Sequence, residues 1–548
     1  MLPEIRFESF ENKVSEPVNT TRERTYIKTG QATFDGLIPR IKAFLEQNSM
    51  DVVIDGKTIR GYRSPDAKSL WIRDFSDILR GIKYFERDLK SMVEHFAETQ
   101  ASNGRIFDYF TTFPEKRPCE RENWTKYVRV PVEADVEYRF VKAAYLAWQA
   151  TGDDPWICDL LPHMERALHY VLTHPWRWDE GTGLVKRAYT IDSWDFAYTA
   201  GTHEWLQFQV TDDTYWGIMH GDNSGYYEAF RRLAGIYEYF QKDDVARIWR
   251  TRAEDLRTNM NRICWNGTFY WHFVKLSPVD IPGVDESTQL SLSNPMDINR
   301  GVPTHLMAAS ILQEYIRRRT KTEAFAEWFS IDPPFPDGVF GDERLKGGAY
   351  VNGGIMPLVG GELAKAAFDH GFEAYGVDIL LRYAQMTTES DATYLWYFPD
   401  GRPLTEEEST SPEASPADGW GSSAMLYALV EGLAGVEDEK KLFQKCRISP
   451  RWHAAGVNEA EVRVCYESSG ANISYSLNYE KDRIHLEVRT EGSHCRFHIL
   501  LPEKREARSV IVNGERIPFR IQKIRNSDYV DLERRVEGKA SLNIDLID

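Results

Sequence analysis

Helical stretches that arrive in pairs constrain this chain more than any other feature. Val141, Ala144, Tyr145 and Trp148 recur at helical spacing, Gly152 closes that helix, and Asp153-Asp154-Pro155 opens the next, LLPHMERALHYVLT. EAFRRLAGIYEYFQKDD pairs with VARIWRTRAEDLRTNMNRICWN, and LVGGELAKAAFDHG with EAYGVDILLRYAQMTTE. PTHLMAASILQEYIRRR begins another pair, and GSSAMLYALVEGLAGV is the last long helix. With helices over Thr33 to Gln47, from Arg73-Asp74 through Ile82, and over Leu89 to Gln100, the total is about a dozen. Paired helices must bury apolar faces on neighbours, as a bundle, a solenoid or a closed toroid. The repeats are irregular, which counts against a solenoid. A closed ring of hairpins would leave its long loops at one mouth, around one pocket.

The pattern changes at Cys446. Ile473, Tyr475, Leu477 and then Ile484, Leu486, Val488 alternate with period two, and Val512-Asn513-Gly514-Glu515 signals a hairpin. The expected organisation is a lead-in over 1–32, a helical body over 33–445 and a small antiparallel β-sandwich over 446–548. A shorter hairpin is expected around Asp55-Gly56, between Val52–Ile54 and Lys57–Ile59.

The stretch Tyr189 to Tyr227 has neither period and reads as a long loop. Its aspartates, Asp192, Asp195, Asp212, Asp213 and Asp222, alternate with Trp194, Trp205 and Trp216. Aromatic faces stack on sugar rings, and carboxylates accept hydroxyl hydrogen bonds. A carboxyl against an aromatic wall is desolvated and suits a general acid. The alternative is a polar surface loop anchored by its tryptophans. Glu133, Asp135 and Glu137 either bind ligand hydroxyls or cap the helix that follows them.

The net charge of -17 disfavours nucleic acid and anionic membranes, and favours neutral ligands. The N-terminus lacks a signal-peptide pattern and no apolar run reaches membrane-spanning length. The 6 cysteines form no CxxC pair, so a reducing cytoplasm is the expected compartment. No metal-ligand spacing appears, and GGAYVNGG has neither Walker nor dinucleotide spacing. Neither metal nor cofactor is expected.

From about residue 50 to 436 the chain resembles the six-hairpin glycoside hydrolases built on an (α/α)6 barrel, which include bacterial α-glucosidases, exo-α-mannosidases and α-L-rhamnosidases. WIRDFSDILRG resembles their Trp-x-Arg-Asp segment, and ADVEYRFVKAAYLAWQATGD their helix ending in Thr-Gly-Asp. HGDNSGYYEAFRRLAGI resembles the hairpin after the general acid; YVNGGIMPLVGG and GWGSSAMLYALVEGLAGV resemble the segments that close the ring. The resemblance implies an exo-acting hydrolase of short oligosaccharides. Together with the loop composition it places Trp71, Arg73, Asp74, Glu133, Asp192, Trp194, Asp212, Trp216, His220, Asn352, Trp396 and Trp420 around the sugar. His203 and His220 flank the central loop, where a structural role competes with substrate contact.

Two alignments to the family compete for the acid. Thr211-Asp212-Asp213 fits the mannosidase pattern and makes Asp213 the first choice, with Asp212 its close rival; Ser193-Trp194-Asp195 fits the α-glucosidase pattern and would make Asp195 the acid instead. The position that usually holds the base carries Leu395. Glu389 ranks first among its replacements, ahead of Asp391 and Glu362, and Glu406 to Glu408 read as a solvated run. Single-displacement hydrolysis with inversion would place acid and base roughly 6.5–9.5 Å apart. A phosphorylase, in which phosphate replaces water and the base is lost, is the first alternative. A non-catalytic glycan-binding protein is the second.

Overall fold

The computed structural model describes residues 24–64, 67–112, 124–194, 196–200, 210–404 and 415–547. Asp195, His203, Trp205, Cys119 and Glu406 to Glu408 lie outside the described residues. The helices are, in chain order, α1 (Ala32–Asp35), α2 (Leu37–Gln47), α3 (Ile72–Ile82), α4 (Ser91–Glu98), α5 (Val136–Thr151), α6 (Asp154–Thr173) and α7 (His220–Tyr239). Then come α8 (Asp243–Ile263), α9 (Ser293–Arg300), α10 (His305–Arg319), α11 (Pro357–Asp369), α12 (Glu373–Ser390) and α13 (Gly419–Tyr427).

Six of these pack in a closed cycle: α3 on α5, α5 on α7, α7 on α9, α9 on α11, α11 on α13, and α13 back on α3. The others lie outside them, α2 against α13, α4 and α6 against α5, α8 against α7, α10 against α9 and α11, and α12 against α11. An outer helix needs one apolar stripe. On α8 it is Ala246, Trp249, Ala253, Leu256 and Met260. Ring helices are more enclosed, and each residue of α3 is buried, Arg73, Asp74, Asp77 and Arg80 included. Ring helices therefore carry small residues and paired charges instead of a stripe. A Cβ on Gly225 would lie 2.3 Å from the Tyr138 ring, and one on Gly361 2.4 Å from the Ala424 backbone.

This enclosure explains two departures from expectation. His220 to Tyr227 form the first turns of α7 rather than the end of a loop, and a short strand, Trp216–Ile218, precedes them. α9, SNPMDINR, shows no helical pattern because nearly all of it is buried. The predicted punctuation holds where a backbone bond needs it. Gly152 ends α5 at φ 69°, and the Asp153 carboxylate accepts the Trp156 N–H at 3.1 Å to start α6. Asp55 and Gly56 (φ 49° and 79°), like Asn513 and Gly514 (φ 50° and 85°), make the left-handed turns of their hairpins.

The C-terminal region is one hydrogen-bonded sheet of 10 strands rather than two separate sheets. The long strands Arg483–Leu500 and Ser527–Ile547 pair with each other and serve both halves, with an irregular register between Thr490 and Ser493. Tyr26–Lys28 from the lead-in pairs antiparallel with Glu461–Arg463, and Lys445–Ile448 runs parallel to His494–Phe497. The sheet is tied to the helices by Phe34 against Trp452 and by Tyr84 stacked on Tyr466.

Candidate active site

The N-termini of all six ring helices meet at one mouth. Arg73, in the first turn of α3, donates to both oxygens of Asp135 at 3.0 Å, just before α5, and also to Glu133. Arg129 bridges Glu133 and Asp108, each at 2.7 Å. On the next side Arg187 reaches Asp222 of α7 at 3.2 Å and donates to the Trp194 carbonyl at 2.6 Å. Asp192 (φ 46°) accepts the Ser293 hydroxyl of α9 at 2.6 Å, and its own N–H donates to His272 Nε2 at 2.8 Å. Asp418 starts α13 by accepting the N–H groups of Trp420 and Gly421.

Buried charges this close displace one another's proton equilibria. Burial, with Asp108 and Asp135 adding to it, holds Glu133 well above the usual carboxyl range against the pull of Arg129 and Arg73. Asp135 is also buried, but Arg73 and Arg139 outweigh that and keep it ionised. Burial raises Asp222 against the pull of Arg187, with Asp135 and Asp192 adding to the rise. For Asp192 burial loses to His220 and the serine hydroxyls, and its carboxyl falls below the usual range.

Aromatic side chains cover this charged floor. Trp71 stacks on Tyr109 at 3.8 Å between ring centroids, with the Arg129 guanidinium 4.6 Å from the Trp71 ring. Trp194 meets Trp420 at 5.5 Å and Tyr350 at 5.3 Å, and Tyr350 leans on Phe196 and Trp396. The buried indole N–H groups of Trp71, Trp194 and Trp420 have no hydrogen-bond partner among the described residues. Buried donors of this kind are seldom left unpaired. Arg73, Asp77, Ser193, Leu358 and the Trp194–Trp420 pair enclose a void of about 10 Å³, room for one water.

Three comparisons bear on this arrangement. No family model matches the chain, and no curated protein matches it. Among solved structures, the α-L-rhamnosidase of Streptomyces avermitilis, complexed with L-rhamnose, superposes over 96% of this chain and 42% of its own, at 13% identity and a TM-score of 0.59. The α-L-rhamnosidase of Dictyoglumus thermophilum covers 95% of this chain and 50% of its own, at 12% identity and a TM-score of 0.56. The chain shares the fold of these α-L-rhamnosidases. The chain spans half or less of those rhamnosidases. A mannosylglycerate hydrolase of Thermus thermophilus aligns over 99% of its own length and 71% of this chain, at 14% identity and a TM-score of 0.51.

Of the residues singled out in the sequence, Trp71, Arg73, Asp74, Glu133, Asp192, Trp194 and Trp420 are at the mouth. Trp396 is buried behind Tyr350. Asn352 is a brace: its side chain binds the Phe335 N–H and the Phe335 and Leu345 carbonyls. His220 is buried between Asp297, 2.5 Å away, and Ser291, 3.0 Å away. Trp216 is half-buried on its strand, with Lys186 over its ring. Asp212 and Asp213 are exposed on the turn before that strand. Glu389 is exposed near the end of outer helix α12, where it accepts the Gln385 amide at 2.8 Å. Asp391 is likewise exposed, and its carboxylate meets Arg40 at 3.2 Å. Leu395 is buried. Glu362 lies far down α11, paired with Arg80 at 2.5 Å and Asn299 at 2.6 Å.

Sequence reasoning passed over Asp77, Arg129, Arg139, Arg187 and Ser293. Arg129 could have been found from its place four residues before Glu133. α9 could have been found from Pro295 near its start and Gly301 and Pro303 beyond its end. Among the described residues no group of three or more His, Cys, Asp and Glu side chains could hold a metal ion, and no helix is long and apolar enough to cross a membrane.

Proposed function

We propose that the ring is an (α/α)6 toroid and that the protein is an exo-acting glycoside hydrolase, removing the non-reducing-end sugar of a short oligosaccharide with inversion. The observation that carries this reading is the cluster of Trp71, Trp194 and Trp420 at the mouth, beside the Arg73–Asp135–Glu133 floor, with indole N–H groups that have no partner among the described residues. Aromatic faces would hold the ring of a sugar, and the indole donors and acidic floor its hydroxyls. The fold shared with rhamnosidases and a mannosylglycerate hydrolase supports the reaction class.

For the acid we favour Asp195, which follows Trp194 directly in the chain, over Asp213 on its exposed turn. α7 and α13 stand across the cycle from each other, so an acid and a base carried by the chain before each helix would flank a bound sugar, as inversion requires. The base would then come from Glu389, near the end of α12, or from residues 391–418, which connect α12 to α13. Leu395 at the usual base position favours one second reading, a phosphorylase, in which phosphate attacks in place of water. A panel of aryl glycosides and disaccharides, with and without phosphate, tests both. Release of one sugar in phosphate-free buffer supports the hydrolase, and release only with phosphate supports the second reading. Binding without turnover on the whole panel would refute both.

A further inference from the structure

The opposite mouth of the ring holds a larger and chemically different cavity. It encloses about 950 Å³ and is lined by the C-terminal parts of the ring helices and by Glu437 to Lys440. Eleven Lys and Arg side chains line it against eight Asp and Glu, a basic excess in a chain whose net charge is -17. Two of the lining cations, Arg80 and Lys142, share one carboxylate that itself lines the small void at the first mouth. Asp77 takes Lys142 and Arg139, each at 2.5 Å, while Arg80 stands 3.8 Å from it.

Donor capacity there is left over. The buried Nη2 of Arg80 and Nε of Arg232 have no hydrogen-bond partner among the described residues. Arg231, exposed at the rim, meets only the Tyr227 hydroxyl at 3.3 Å and its ring, and no carboxylate among the described residues. An acceptor is also unspent: the buried Oδ1 of Asn299 has no partner among them. Burial, reinforced by Arg80 and Arg139, brings Lys142 down to about 7, the response of an ammonium short of negative charge.

We propose that this cavity binds a phosphorylated sugar. The phosphate would lie toward Arg231, Arg80 and Lys142, with the hydroxyls on Asn299, Glu228 and Glu362. Guanidinium groups suit phosphate oxygens, and the carboxylates and amide suit hydroxyls, so neither a bare anion nor a neutral sugar uses both halves of the lining. The site is at the other end of the ring from Trp194 and Trp420 and does not depend on the reaction proposed there.

Titration calorimetry on the full chain tests this with a hexose 6-phosphate, the free hexose and inorganic phosphate as separate probes. The ester should bind saturably and more tightly than either of the others. Arg231→Gln, on an exposed side chain, should weaken it about tenfold, the loss of one charged hydrogen bond. Its thermal melt should match the wild type. No saturable binding of the ester, equal affinity for inorganic phosphate, or unchanged affinity in Arg231→Gln would each overturn the proposal.

Discussion

The indole of Trp194 meets that of Trp420 edge to face, 5.5 Å between centroids, and joins the segment before α7 to the start of α13 across the ring. In the proposed site this pair is the aromatic wall against which the sugar would stack. Trp420→Ala should therefore weaken sugar binding by about 1–2 kcal/mol, roughly tenfold, through the lost aromatic surface. A fluorescence titration with the sugar identified by the substrate panel reads this directly. Unchanged affinity would remove the aromatic pair from the site.

The two candidate acids separate by kinetics. Asp195→Asn should lower kcat by about a hundredfold or more, the usual contribution of a general acid. Asp213→Asn, on an exposed turn, should leave kcat near that of the wild type. An aryl glycoside with a very acidic phenol needs little protonation on leaving, so it should recover much of the Asp195→Asn loss.

Arg73 is the one cation hydrogen-bonded to both Asp135 and Glu133 among the described residues. Arg73→Met would leave buried carboxylates short of a partner and should cost about 3–5 kcal/mol in urea unfolding. Arg73→Lys keeps the charge but loses the two-pronged fit to Asp135, and should fall between wild type and Arg73→Met.

His272 gives a pH signature. Burial, reinforced by His220, lowers it to about 3, so it stays neutral in the fold and accepts the Asp192 N–H. An unfolded histidine titrates near 6.5. Between those values the unfolded chain binds a proton that the folded chain refuses, so stability is lost as pH falls from about 6.5 toward 3. The slope is about 1.4 kcal/mol per pH unit for this one group. His272→Gln keeps an acceptor without a titrating ring, and its melting temperature should fall less between pH 7 and pH 5.

How much of this was legible in the sequence depended on how each element is buried. Outer helices such as α8 have one face in water, and their stripe gave them away. Turns also showed, because Gly152, Asp55-Gly56 and Asn513-Gly514 meet left-handed backbone that few residues accept. α9 and the start of α7 did not show. Almost wholly buried, they trade amphipathic pattern for small residues and for ion pairs whose partners are far away in the chain. The mouth was half legible for the same reason. WIRD could be recognised locally, but the pairing of Arg73 with Asp135 spans 62 residues and that of Asp192 with Ser293 spans 101.

The central claim is that this mouth cleaves a glycosidic bond by single displacement. Proton NMR of the first sugar released from an aryl glycoside, recorded before mutarotation, tests it most directly. The account predicts the anomer opposite to that of the substrate. Release of the same anomer, or no release from any glycoside tried, would contradict it.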